Sequence, residues 1–247
     1  PMISNTYYAQ GGIIYARPSD EALISDIFKA SAHTANLDAA RVLLQRSGEI
    51  LNEVLISKAK CNFSKNAQGE LKFTKEAAHS ESRILYRGDY TGREIQVTLL
   101  NYLKDQKRFP NVYIYDSHTA IDLITPIHHG DNIQQRYEEN KVVGAYLLNQ
   151  RSGHVVKAMA KVVMLATGGI GALYLHHSNA EGARGDGHAM AKRAGATLNN
   201  MEFIQFHPTT FWDQSAHRRF LISEAVRGEG GRLLNSLCQP FMAKYHP

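Results

Sequence analysis

The sequence predicts an α/β fold with an antiparallel excursion, on three observations. Apolar residues recur at helical spacing in several segments. Two stretches, 142–149 and 154–163, are joined by Gln150-Arg151-Ser152-Gly153 and read as the paired strands of a β-hairpin. Residues 162–166 are a continuous apolar run, typical of a strand buried on both faces.

Each element follows from local pattern. Ser19-Asp20 marks a helix start, followed by Leu23, Ile24, Ile27 and Phe28 on one stripe. A second helix begins at Asn36-Leu37-Asp38, with Ala40, Leu43, Leu44, Leu51, Val54 and Leu55 on its buried face. Thr91-Gly92 precedes a third, striped by Ile95, Leu99, Leu100 and Leu103. Segments 111–115 and 120–125 read as short strands. A helix over 187–194 ends at Gly195. After Asn200 the character changes, as Phe203, Phe206, Pro208, Phe211 and Trp212 cluster. This predicts a domain boundary, with one domain over 1–200 and the start of another over 201–247.

Composition narrows the function classes. The chain has 247 residues and is 43% apolar, enough for a real core. No apolar run approaches the ~20 residues that span a bilayer, and the first residues lack a signal-peptide pattern. The net charge of +5 comes from interspersed residues, which argues against a nucleic-acid surface. Cys61 and Cys238 lie far apart without CxxC spacing, so no disulfide framework is expected and a reducing cytoplasm fits. The pairs His128-His129 and His176-His177 have no third ligand spaced for a metal and read as surface or loop residues.

Three glycine-containing segments carry the chemistry: Gln10-Gly11-Gly12, Thr167-Gly168-Gly169 and Gly185-Asp186-Gly187. Glycines after a strand let backbone approach a flat ring or a phosphate, and a helix start offers free N–H groups. Each alone reads as an ordinary turn; the three together point to a cofactor. A GxGxxG turn, the usual pyrophosphate cradle, does not occur, so that cradle is expected upstream of Pro1.

The segment Ser4-Asn5-Thr6-Tyr7-Tyr8-Ala9-Gln10-Gly11-Gly12-Ile13 resembles the flavin-contacting segment of the fumarate reductase/succinate dehydrogenase flavoprotein family. The stretch from Gly185-Asp186-Gly187 to Phe206-His207-Pro208-Thr209 is similar to a second signature of that family. Leu221-Ile222-Ser223-Glu224-Ala225-Val226-Arg227-Gly228-Glu229-Gly230-Gly231 is similar to a third. The resemblance covers nearly the whole chain. It implies the remainder of an FAD-binding, glutathione-reductase-like domain plus the start of an α+β capping domain.

Two features resemble the L-aspartate oxidase branch more than the respiratory enzymes. Asn5-Thr6 stands where those flavoproteins commonly carry a histidine bonded to flavin, which implies non-covalent FAD. Residues 74–80, then Arg83-Ile84-Leu85 and Asp89-Tyr90-Thr91-Gly92-Arg93, are similar to an oxidase segment, although Ala77-Ala78 replaces its glycine pair. The implied reaction converts L-aspartate to iminoaspartate, with reoxidation by oxygen or fumarate, and delivers product to quinolinate synthase in NAD biosynthesis. The implied substrate residues are Glu76, His207, Ser223, Glu224 and Arg227, with Glu76 meeting the α-ammonium. Arg219 reads equally as a carboxylate ligand or a structural arginine. The implied FAD contacts are Ser4 to Ile13, Thr119, Ala120, Thr167, Gly168, Gly169 and Asp186. The family's acid/base arginine lies in a segment after Pro247, so the chain alone is expected to be inactive. The alternatives are a fumarate reductase or succinate dehydrogenase fragment, and a non-catalytic truncated domain.

Overall fold

The computed structural model describes residues 3–76, 78–105, 107–207, 209–223, 226 and 230–245. Two compact units are present. One comprises Thr6–Val112 with Ile222–Pro247, the other Ile3–Asn5 with Tyr113–Leu221.

The first unit carries most of the helix. After the short α1 (Asn5–Tyr8) comes β1 (Ile13–Ile14) and then α2 (Glu21–Ala30). The side chain of Asp20 caps α2 by accepting from Leu23 N–H at 3.2 Å. Helix α3 (Leu37–Ile50) is capped by Asn36, whose Oδ1 accepts from the N–H groups of Asp38 and Ala39 at 3.0 and 3.1 Å. Leu23, Ile24, Ala40 and Leu44 pack with Ala16 into one core cluster. Leu43 turns outward at 48% exposure, because its neighbour Leu44 faces α2. The predicted continuation of α3 to Leu55 is present, but it widens into a π-helix over Leu51–Lys58.

Strands β2 (Phe73–Thr74) and β3 (Ile84–Leu85) join β1 in an antiparallel sheet, order β1-β3-β2. Helix α4 (Thr91–Leu103) follows, with Ile95 and Leu99 against the cluster of Leu51, Leu55, Phe63 and Leu85. Fully burying side chains such as Phe63 and Leu85 stabilises the fold by about 1.5–3 kcal/mol each.

The second unit is built on an antiparallel sheet, β4 (His118–Ile124), β5 (Gly144–Asn149) and β6 (Val155–Met159) in that order. The predicted hairpin through residues 150–153 is its β5–β6 turn. Between β4 and β5 lies α5 (Pro126–His129), and α6 (Asp186–Arg193) follows the sheet. Arg193 Nε donates to Asp122 Oδ2 at 2.8 Å, fastening α6 to β4 beside a register shift at Ala120/Asp122. Burial pushes the Asp122 carboxyl up, but the hydrogen bonds from Arg193 and the Leu123 N–H, together with the nearby positive charge, outweigh it and the net shift is downward. Gly195 ends α6 with φ +91°. A two-stranded ribbon, β7 (Thr210–Phe211) with β8 (Phe220–Leu221), completes the unit.

Two strand expectations fail. Residues 111–115 form turns and irregular chain, with Tyr113 and Tyr115 at 74% and 67% exposure. Their apolar character is aromatic rather than alternating, and a strand needs a partner ladder that this segment does not find. Residues 162–166 form no strand among the described residues, and Val162 and Met164 are 82% and 87% exposed. An apolar run sets a strand only where neighbouring strands receive it. All ladders among the named strands are antiparallel, whereas an α/β fold leads one to expect parallel pairing. No helix among the described residues is long and apolar enough to cross a membrane.

Candidate functional site

In the first unit, the loop after α1 is shaped by close backbone approach. A Cβ on Gly12 would stand 2.1 Å from Ile84 Cγ2 and 2.4 Å from the Leu85 carbonyl oxygen, so only glycine lets this loop lie on β3. Gly92 N–H, at the start of α4, donates to the Ala9 carbonyl at 3.0 Å and fixes the loop's other side. The half-buried Glu76 reaches the same loop: its Oε1 accepts from Gly12 N–H at 3.2 Å. The predicted ammonium-binding acid and the predicted flavin-contacting segment are therefore brought together, across 64 residues of sequence.

A buried cluster holds the Glu76 loop on its far side. Asp26 Oδ2 accepts from Ser80 N–H and Ser80 Oγ–H, both at 2.8 Å, and from Arg83 Nη1 at 2.6 Å. Arg83 also forms a two-pronged pair with Asp20, at 2.8 and 3.1 Å. His79 Nδ1 lies 3.1 Å from Arg83 Nη1 and must accept there, since guanidinium only donates. Burial raises the Asp26 pKa, but the Ser80 N–H, Arg83 and the Ser80 hydroxyl outweigh it and hold the carboxyl at about 2. This clamp had a sequence signal, an aspartate inside the apolar stripe of α2, but its partner lies 57 residues away.

In the second unit, Asn5 Oδ1 accepts from Ala180 N–H at 2.6 Å, and Asn5 Nδ2 donates to Asn179 Oδ1 at 2.9 Å. Asn179 escaped the sequence reading; nothing in its neighbourhood marks it as the partner of a residue 174 positions earlier. Both ends of the Asn5 amide are thus engaged by protein. Ser4, which also lies in this unit, is half-buried. Asp186 opens α6 and lies 3.8 Å from Arg184. A Cβ on Gly187 would fall 1.8 Å from Thr167 Oγ1, so this glycine seats the start of α6 against the Thr167-Gly168-Gly169 segment. Gly168 and Gly169 themselves face open space, with no atom within 4 Å of where a Cβ would stand. That geometry fits a cofactor lying against bare backbone beside a helix start.

His207 is half-buried, with Nδ1 3.1 Å from the Thr209 carbonyl, and lines a cavity of about 680 Å³ within this unit. Thr119 and Ala120 lie exposed on β4, opposite Leu148 and Leu147, and Thr119 Oγ1 accepts from Gln150 Nε2 at 2.7 Å. Ser223 is half-buried in the first unit, where its carbonyl accepts from Val226 N–H at 3.1 Å. Glu224 and Arg227, both expected to bind substrate, lie outside the described residues. Cys61 is buried and free, with its thiol pushed up first by burial and then by Glu94; Cys238 is exposed and free.

An open glycine pair beside an acid-bearing helix start, and a Gly-Gly loop on a strand, define a domain of the nucleotide-cofactor class. The chain belongs to the FAD binding domain family, whose model matches residues 1–247, and FAD is its cofactor. It is 37% identical to the chloroplastic L-aspartate oxidase of Arabidopsis thaliana, over 99% of this chain and 37% of that protein. It is equally 37% identical to the L-aspartate oxidase of Clostridium perfringens, over 99% of this chain and 52% of that protein. Its fold matches a point mutant of E. coli quinol fumarate reductase FrdA with a TM-score of 0.84 and 25% identity, covering 99% of this chain and 39% of that one. The chain thus spans roughly two fifths to one half of the proteins it matches.

Proposed function

We propose that the protein containing this chain is an FAD-dependent L-aspartate oxidase, converting L-aspartate to iminoaspartate. The observation that carries this reading is the Glu76 carboxylate on Gly12 N–H, an acid held against the flavin-contacting segment. The relatives named L-aspartate oxidase, at 37% identity, support it.

Bound FAD supplies a two-electron acceptor that is later reoxidised by oxygen or fumarate. The backbone at 4–13, Thr119, Ala120, Thr167, Gly168, Gly169 and Asp186 would hold it. Asn5, an amide tied to Asn179 and Ala180, supports non-covalent attachment. With Glu76 Oε1 engaged by Gly12, Oε2 is the oxygen that meets the substrate α-ammonium. That charge pairing selects an amino-dicarboxylate over succinate, because succinate leaves the half-buried carboxylate unmatched. His207 and Ser223 donate to substrate carboxylates, with Glu224 and Arg227 completing the set. Residues 1–200 serve the cofactor, and 201–247 begin an α+β capping domain. The iminoaspartate passes to quinolinate synthase for NAD biosynthesis, in the cytoplasm.

The test is turnover by the complete flavoprotein. Peroxide formation that depends on L-aspartate under air, with no oxidation of succinate, is the expected result. Oxidation of succinate without turnover of L-aspartate would place the protein with the respiratory enzymes instead, whose fold it shares.

A further inference from the structure

Arg219 and Arg83 are both buried arginines, 7% and 3% exposed, and the fold treats them differently. Arg83 is matched by the carboxylates of Asp20 and Asp26. Arg219 makes no ion pair among the described residues, and the exposed Asp213 carboxylate acts on it only from beyond that distance. Its guanidinium lies 4.0 Å over the Trp212 ring, Nη2 lies 3.2 Å from His176 Nδ1, and Nη1 donates to the Asp213 carbonyl. Its Nε is buried and makes no hydrogen bond. Withdrawing a guanidinium from water costs several kcal/mol unless a counter-charge answers it.

The cavity that Arg219 lines supplies the rest of the argument. It measures about 680 Å³, and among the described residues its wall includes His176, His177, His188 and His207 but no aspartate or glutamate. The Nδ1 atoms of His177 and His188 are also buried without a partner. The histidines are not grouped as a metal site among the described residues. Because Arg219 only donates, His176 Nδ1 accepts from it, which puts the His176 proton on Nε2. The wall thus offers ring nitrogens and one cation, a planar guanidinium held flat by an indole.

We propose that Arg219 is the cation of a carboxylate-binding subsite in this cavity, with His176 as its orienting partner. The subsite takes one carboxylate of a small dicarboxylate, an assignment that rests on the L-aspartate oxidase reading. Arg219 Nε–H is the donor that meets the carboxylate, and the Trp212 face fixes the plane of the fork. Loss of such a charge-assisted contact weakens binding by roughly 10- to 100-fold.

The experiment titrates malonate into the complete FAD-loaded protein, following heat by calorimetry and the visible flavin band. R219M keeps the stem packed on Trp212 without charge, and R219K keeps the charge without the fork. The expected result is a ~10- to 100-fold weaker malonate Kd in R219M, a smaller loss in R219K, and unchanged FAD content and melting temperature in both. Malonate binding to R219M at wild-type affinity would overturn the proposal. So would loss of FAD or of cooperative unfolding in R219M, which would assign the guanidinium to packing of 212–219. Inorganic phosphate displacing malonate with equal affinity would make this a general anion site and sink the dicarboxylate assignment. Turnover of L-aspartate by the wild type is measured separately. If that turnover is absent while R219M still loses malonate, the oxidase reading falls and the subsite stands.

Discussion

Arg83 Nη1 and Asp26 Oδ2 meet at 2.6 Å, and the same aspartate oxygen holds both the N–H and the hydroxyl of Ser80. One carboxylate therefore joins helix α2, strand β3 and the loop that carries Glu76. Removing it leaves a buried guanidinium short of one counter-charge. Asp26→Asn should cost about 3–5 kcal/mol, read as a lower urea midpoint at an unchanged slope. A shift of the order found for exposed pairs, such as Arg41–Asp38, would show that the cluster contributes little.

The same carboxylate gives stability a pH dependence with a definite sign. Its folded pKa of about 2 lies below the ordinary aspartate value of about 3.9. The folded state therefore prefers the ionised form, and this contribution is fully present above about pH 4. It is lost as the pH falls through about 2. Urea midpoints at pH 5 and pH 2.5 should differ more for the wild type than for Asp26→Asn; equal differences would remove Asp26 from the account.

Gly187→Ala tests the seating of α6. The new methyl would stand 1.8 Å from Thr167 Oγ1, so helix and glycine pair must separate. FAD affinity of the complete protein should fall by about tenfold or more, as expected when a positioned group moves by ~1 Å. Fluorescence titration of the apoprotein with FAD measures this, and an unchanged Kd would detach Asp186 and Gly168 from the cofactor.

Glu76→Gln removes the charge but keeps the shape and the acceptor for Gly12 N–H. KM for L-aspartate should rise roughly 10- to 100-fold, the size of a lost charge-assisted contact, while FAD binding is retained. A KM that does not move would leave Glu76 as a loop anchor only.

Helices were the part of this fold most open to sequence reading, because their signals are local. Asp20 and Asn36 each cap a helix within three residues of themselves, and Leu23, Ile24, Ala40 and Leu44 sit where their spacing requires. The β5–β6 hairpin was legible for the same reason, since its turn and both strands are contiguous. Residues 111–115 and 162–166 were not, because pairing depends on distant chain that local pattern does not encode. The site divides likewise. Glu76 and the Gly11-Gly12 loop could be named from motifs, whereas the Asn5–Asn179 bond and the burial of Arg219 depend on contacts that spacing does not record.

The apolar stretch at 162–166 has a consequence for handling the polypeptide. Val162 and Met164 point their side chains into solvent, and the backbone there forms no ladder among the described residues. Such a segment is a template for another extended chain, which would gain main-chain hydrogen bonds and shed water from both faces at once. Contact between copies at that strip is the expected consequence, despite the net charge of +5.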